Sequence, residues 1–421
     1  MRILPKPSFQ LTAAQQSAFE TLKKGHNAFL TGHAGTGKST LLQHYRKEGA
    51  LSDTPVVSST GSSALLIGGV TFHRFFGIGI LEGGWDATIE RALKNRKVKK
   101  RLKETQTLII DEISMLPGQT LAIAETIARI ARNNDSPWGG IRLIAVGDFA
   151  QLPPVTYGNA ARDWAFEHPV WLQSEFESIY LHTTVRTADH FFIEMLDYAR
   201  RGEMCADLKD FLNSRKDSSL DPNTFEGTRL FAKRVDVEAY NLRRLNHLEG
   251  ALMTFPTSYS GDERAQEQIR KQSPVSEILY LKPGALVMIR QNDPVGRYAN
   301  GSLAHVESLT ESGLQLRLLS SGSKITLEQS TFQLLDGDGK ILASATNFPV
   351  NLAYATTIHK SQGMTLDRIW VDLSGLWEPG QAYVALSRAR TPSGLFIENW
   401  DERSFHSDDA VMRFYAHMQR F

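Results

Sequence analysis

The chain has 421 residues, 41% of them hydrophobic and 22% charged, with a formal net charge of +1. That length exceeds a single hydrophobic core and predicts two or three domains, and the composition excludes disordered and collagen-like classes. One cysteine, Cys205, excludes an internal disulfide and a multi-cysteine zinc centre. No apolar run has membrane-spanning length and Met1–Pro7 shows no signal-like apolar segment, so a reducing, cytosolic location is expected and no membrane partner.

In chain order, Leu11-Thr12-Ala13-Ala14-Gln15 opens a helix with Thr12 as its cap. Ala28-Phe29-Leu30 then leads into Gly32-His33-Ala34-Gly35-Thr36-Gly37-Lys38-Ser39-Thr40, with a helix following. Strand, Gly-rich loop and helix in that order form a phosphate cradle, in which backbone N–H groups and the helix N-terminus face the anion. Lys38 is expected on the outer phosphates of a nucleoside triphosphate and Ser39 on Mg²⁺. Gly35, Thr36, Gly37 and Thr40 complete the loop.

Thr54 to Thr60 reads as a buried strand ending in hydroxyls, Gly61 to Leu66 as a helix, and Gly68-Gly69 as a turn before His73 and its aromatic neighbours. From 78 to 104 the alternation breaks. Gly83-Gly84-Trp85 predicts a turn, and Arg91 to Lys103 packs eight basic residues into thirteen. A solvated face and a polyanion-binding surface are both open readings of that run.

Thr107 to Ile110 is a buried strand that delivers Asp111 and Glu112 at its end. Opposite a phosphate loop, Asp111 suits a water-mediated Mg²⁺ contact and Glu112 the polarisation of the attacking water. A helix is expected from Gly118 to Asn133, with Leu121, Ile123, Ile127 and Ile130 apolar. A central strand at Arg142–Asp148 runs into Gln151, Pro153 and Pro154, and the first domain is expected to end near Ser174.

A second alternating series is predicted from strands at Ile179–His182, Arg229–Ala232 and Leu286–Arg290, with helices over 191–201, 208–213 and 235–247. Short runs split by Gly and Ser between about 300 and 348 predict a small all-β insertion. The α/β series resumes at Leu352–Ala355, Ile369–Leu373 and Gly394–Ile397. Read alone, Gln151, Arg186 and Arg388 suit ordinary loop or helix positions as well as a γ-phosphate site, and His73 suits a half-buried structural role.

Five stretches together resemble the petite-integration-frequency family of superfamily-one DNA helicases, relatives of RecD-like enzymes. They are Gly35–Thr40, Ile110–Leu116, Gly147–Val155, Thr357–Asp367 and Ala382–Arg390, within a similarity running from Leu11 to about Asn399. The resemblance implies an α/β fold of two RecA-like parallel-sheet lobes with ATP in the cleft. The first lobe is expected at 1–77 and 105–174, with a basic wedge inserted at 78–104. The second is expected at 175–299 and 351–421, with a Src-homology-three-like barrel at 300–350. Gln15 matches the residue that reads adenine, while Arg186 and Arg388 match arginines lent to the γ-phosphate by the second lobe. Thr60, His73, Pro153, Pro154, Thr357, His359 and Lys360 lie in stretches that match strand contacts, and Lys97, Lys99 and Lys100 lie in the wedge. The activity implied is ATP-dependent translocation, five-prime to three-prime on single-stranded DNA, with unwinding of tailed or forked duplex by a monomer. The sequence departs from the family pattern at Thr187, at Ser62-Ser63 and after Asn300-Gly301.

Two other readings keep the phosphate loop. One is a translocase that displaces proteins without efficient unwinding; the other is a P-loop kinase or switch, which leaves Gln151, His359 and Arg388 unused.

Overall fold

The computed structural model describes residues 11–418 apart from 49–53, 67–68, 79–83, 156–160, 218, 292, 294, 296, 299, 310–312 and 337–339. The leader-free reading of Met1–Pro7, and the turn glycines Gly68 and Gly83, lie outside the described residues.

Six strands form the first sheet: β1 Ala28–Gly32, β2 Val56–Ser58, β3 Val70–Thr71, β4 Thr107–Asp111, β5 Arg142–Val146 and β6 Glu177–Leu181. Their order is β3-β2-β4-β5-β1-β6, and every pairing is parallel. Side chains alternate between two cores, as strand geometry requires. Phe29, Leu108, Ile110, Leu143 and Ala145 enter one, while Ala28, Leu30, Ile109, Ile144 and Val146 enter the other. Burial on both faces explains why these strands read as continuous apolar runs.

The strand expected to open the second series is a correction. β6 pairs with β1 over five residues, Ala28↔Glu177 to Gly32↔Leu181, and so belongs to the first sheet. The last helix, Asp409–Met418, also returns to this unit, placing Val411 and Tyr415 in the first core with Phe414 packed against it. Of the apolar positions on the helix Gly118–Arg132, Leu121, Ile123 and Ile127 are buried, but Ile130 is exposed.

Between residues 78 and 104 the described segment is two helices, Gly84–Lys94 and Arg96–Glu104. Val98 and Leu102, one turn apart, anchor the second in the first core. Arg101 is buried with them and donates through Nε to the Phe75 carbonyl at 2.9 Å, so one member of the basic run is structural.

The second parallel sheet contains β7 Thr228–Phe231. The chain then enters antiparallel structure at β8 Met253–Pro256, β9 Ser258–Gly261, β10 Ile278–Leu281 and β11 Leu286–Ile289. It continues through β12 Leu303–Leu309, β13 Leu314–Leu318, β14 Lys324–Leu327, β15 Ser330–Leu335, β16 Ile341–Asn347 and β17 Val350–Leu352. β18 Ala355–Thr357, β19 Ile369–Leu373 and β20 Leu395–Trp400 complete the parallel sheet, ordered β18-β7-β19-β20. β11 was expected in the α/β series, yet it pairs antiparallel with β12 and β17 inside a five-stranded sheet. β16 likewise recruits β9 from well before residue 300. Periodicity within a short strand does not reveal its partner, and the partner decides the sheet.

Candidate active site and nucleic-acid interface

The strand order brings the nucleotide residues together. β1 lies between β5 and β6, so Gly32, Asp148 and the chain after Leu181 all emerge at one sheet end, where parallel α/β sheets hold ligands. β4 adds Asp111 and Glu112 on the far side of β5.

The phosphate loop is shaped by its neighbours. Gly35 has φ +80°, and a Cβ there would meet Cβ of Arg186 at 2.6 Å; at Gly37, also φ +80°, it would meet Nε2 of Gln15 at 2.5 Å. Both positions therefore need glycine for conformation and for space. Lys38 Nζ donates to the carbonyls of Gly32 at 2.8 Å and His33 at 3.1 Å. Burial lowers its pKa, while Asp148 and Glu112 pull it back up. Ser39 and Thr40 are exposed on the first turn of the helix Lys38–Glu48. Gln15 is buried; it closes a capping box with Thr12 and donates Nε2 to the Thr36 carbonyl at 3.1 Å. A glutamine expected at the adenine thus also braces the loop.

Asp111 ends β4 and accepts the Glu112 N–H at 3.0 Å. Glu112 adopts φ 53° and ψ 47°, left-handed backbone that costs on the order of 1 kcal/mol in a non-glycine residue. Its Oε2 accepts from Nε2 of Gln362 at 3.0 Å. Burial and the adjacent Asp111 push its carboxyl up to about 7, against Lys38, Arg388 and Gln362. A carboxyl poised there suits a general base near neutral pH. Burial raises Asp111 as well, opposed by the Glu112 amide and Lys38.

Asp148 is the hub behind this pair. Its Oδ1 accepts from Arg200 at 2.9 Å and from the Tyr415 hydroxyl at 3.0 Å, and its Oδ2 from Gln151 Nε2 at 3.4 Å. Burial alone would raise its carboxyl, but Arg200 and Lys38 hold it down at about 2. The Tyr415 hydroxyl also accepts from Phe149 N–H at 2.9 Å and lies 2.9 Å from the Thr31 hydroxyl. Gln151 is therefore held by a buried network that includes the last helix.

The two arginines sit differently from one another. Arg186 follows β6 of the first sheet, and its segment is bonded to the loop: Val185 N–H donates to the Gly35 carbonyl at 2.8 Å and Thr184 Oγ1 to the same oxygen at 3.2 Å. It is already on the first-lobe side, and its guanidinium donates to the Ser387 carbonyl. Arg388 does come from the second sheet's side. It is buried and donates to the carbonyls of Val384 at 2.8 Å and of Ser361 and Met364, each at 3.2 Å. Burial beside Arg186 lowers its pKa to about 9, and burial lowers Arg186 to about 10.

Among the strand candidates, Thr60 and Thr357 are helix caps: Thr60 Oγ1 accepts from Ser63 N–H at 3.2 Å, and Thr357 Oγ1 from Lys360 N–H at 3.1 Å. His73 is half-buried on the helix Phe72–Phe76, and burial lowers its pKa. Pro153 and Pro154 are buried, whereas His359 and Lys360 are exposed. Lys97 pairs with Asp336 beside β15 at 3.1 Å, Lys100 lies 3.9 Å from Glu104, and Lys99 is exposed.

Asp148, Arg200, Gln362, Tyr383 and Tyr415 were not singled out from the sequence. Three of them lie in the motif stretches, so their neighbours were a signal. Arg200 and Tyr415 carry no local signal, because only folding brings them to Asp148.

Among the described residues no group of three or more His, Cys, Asp or Glu side chains could hold a metal, and no helix is long and apolar enough to cross a membrane.

The family description "PIF1-like helicase" matches residues 10–204. The chain is 44% identical over 417 residues to the ATP-dependent DNA helicase Pif1 of Bdellovibrio bacteriovorus, covering 99% of this chain and 94% of that protein. It spans about two thirds of the length of the vertebrate proteins named ATP-dependent DNA helicase PIF1. Among solved structures, Bacteroides sp Pif1 in complex with ADP-AlF4 is 29% identical with a TM-score of 0.84, covering 98% of each chain. Bacteroides Pif1 bound to ssDNA is also 29% identical, with a TM-score of 0.66 over 98% of each chain. Two parallel sheets of RecA-like type, a phosphate loop between Arg186 and Glu112, and similarity along nearly the whole length agree: the chain belongs to the PIF1-like helicases.

Proposed function

We propose that the protein is an ATP-dependent DNA helicase that moves five-prime to three-prime along single-stranded DNA and opens tailed or forked duplex. What supports this reading is that Lys38, Asp111, Glu112, Arg186 and Arg388, drawn from two parallel-sheet units, lie within electrostatic reach of one another, with Gln151 bonded to Asp148 beside them. The N–H groups of Gly35–Ser39 and Lys38 suit the phosphates of ATP. The donor set for Mg²⁺ is one hydroxyl, Ser39, and one carboxylate, Asp111, which fits a hard cation completed by phosphate oxygens and water. Bound there, Mg²⁺ would neutralise charge developing on the phosphates. Glu112 holds the attacking water as base, and Gln151, fixed by Asp148, faces the terminal phosphate.

Arg186 rests against the loop, so closure of the cleft depends chiefly on Arg388. Exchanging its carbonyl partners for a phosphate would draw the segment 357–388 toward the loop. Thr357, His359 and Lys360 ride on that segment, which turns closure into movement along the strand. Pro153, Pro154, Thr60 and His73 form the first-sheet side of the strand path, and Lys97, Lys99 and Lys100 the face that meets duplex. A monomeric unit acting in the cytosol completes this reading.

The test is ATP-dependent strand displacement on duplexes tailed at either end, with DNA or RNA tails. Displacement from five-prime DNA tails is expected. Displacement only from three-prime tails would reverse the polarity. ATP hydrolysis without displacement would favour a protein-stripping translocase, and hydrolysis indifferent to DNA would favour a kinase or switch.

A further inference from the structure

Ala34 lies at the tip of the phosphate loop and is buried; its backbone N–H donates to the hydroxyl of Tyr383 at 2.8 Å. The donor is a backbone amide within the phosphate loop, committed to the tyrosine, and the acceptor comes from a helix of the second parallel-sheet unit. Tyr383 is 1% exposed on the helix Gln381–Leu386, whose last turn leads directly to Ser387 and Arg388. This short helix touches the cleft at three points: Tyr383 on Ala34, the Ser387 carbonyl on Arg186, and Arg388 within electrostatic reach of Glu112. Its packing against the first unit is close. A Cβ on Gly380, at φ +72°, would meet the Ala150 carbonyl oxygen at 2.4 Å and that of Gln151 at 2.6 Å.

The other side of Arg388 leads to the strand candidates. Its guanidinium donates to Ser361 and Met364, which continue the helix Ile358–Ser361 bearing His359 and Lys360. A continuous chain of contacts therefore runs from the exposed turn through Arg388 and one helix to a phosphate-loop amide. Both ends of the Tyr383 contact are buried, so neither group can exchange its partner for bulk water, and the loop and helix are held in one register.

We propose that Tyr383 is a positioning residue through which DNA engagement at 357–364 reaches the phosphate loop, its hydroxyl registering the Arg388 helix on Ala34. The inference rests on the ATPase reading above. Without the hydroxyl, Arg388 and the loop lose their common reference, and DNA no longer sets the geometry for hydrolysis.

The experiment compares wild type with Tyr383→Phe, which keeps the buried ring and removes only the hydroxyl. The readout is the ratio of kcat for ATP with and without an oligo-dT strand, together with KM for ATP and Tm. That ratio does not depend on the fraction of protein folded. Wild type should show strong stimulation, and a wild type without DNA-stimulated hydrolysis would overturn the function and this inference together. With wild type stimulated, the variant's ratio should fall about tenfold or more, since small misplacements at a reacting centre cost that much, while KM changes less than about twofold. An unchanged ratio, or a loss confined to KM, would overturn the role of Tyr383 and leave the helicase reading intact.

Discussion

Gln362 donates its side-chain amide to Oε2 of Glu112 across 3.0 Å, joining residues 250 positions apart in the chain. Glu112 belongs to the strand end that faces the phosphate loop, and Gln362 to the turn that carries His359 and Lys360. The carboxylate expected to activate water is therefore oriented by the unit expected to grip the strand. Burial and Asp111 push Glu112 up to about 7, and Lys38, Arg388 and this bond from Gln362 oppose them.

Glu112→Gln should preserve ATP binding and reduce turnover by about 10²–10⁴, the usual contribution of a positioned base. Fluorescent-nucleotide affinity and steady-state hydrolysis measured on the same preparation check this. Unchanged turnover would remove Glu112 from the base role.

The pH profile of kcat should rise through about pH 7 as Glu112 loses its proton. Gln362→Leu removes a donor to the carboxylate, which disfavours the charged form. The acid limb should then move to higher pH, by about one unit. A limb that stays in place would mean that another group controls it.

Asp148→Asn should lower stability by about 3–5 kcal/mol, because it leaves Arg200 buried without its anion. The wild-type carboxyl is held at about 2, below its ordinary 3.8. Its contribution is thus complete above about pH 4 and is lost as pH falls towards 2. The difference of 1.8 units corresponds to about 2 kcal/mol. In urea melts between pH 5 and pH 2 the gap between wild type and variant should narrow by about 2 kcal/mol towards the acid end; parallel curves would contradict the assignment.

Neutralising Lys97, Lys99 and Lys100 together should lower unwinding more than single-strand-stimulated hydrolysis. If all three contact phosphates of the duplex, the slope of log affinity for duplex against log salt should flatten by about 3. Lys97 shares its charge with Asp336, so a smaller change identifies it as a structural tie. Equal losses in unwinding and hydrolysis would reduce the run to simple recruitment of DNA.

Much was legible in the sequence because it is local. The phosphate loop needs glycine where φ is positive and where Arg186 and Gln15 approach, and that requirement is written within six residues. Asp111 and Glu112 could be placed because a strand of apolar residues ends at them. Strand partners were not legible, since β6 and β11 have the periodicity of many sheets and join theirs through contacts distant in sequence. The same limit hid the setting of Arg186, which lies between β6 of the first sheet and the helix His190–Arg201, whose Phe192 and Met195 enter the core of the second parallel sheet.

By itself the sequence determined the family and placed the phosphate loop and the strand-end carboxylates Asp111 and Glu112, because spacing and residue type set local backbone and charge. Only the tertiary structure decided that Asp148 binds Arg200 and Tyr415, that Gln362 orients Glu112, and that Tyr383 rests on Ala34. Each of these is a buried polar group satisfied by a residue far along the chain. Burial makes such a partner necessary, but local sequence does not say which residue it is.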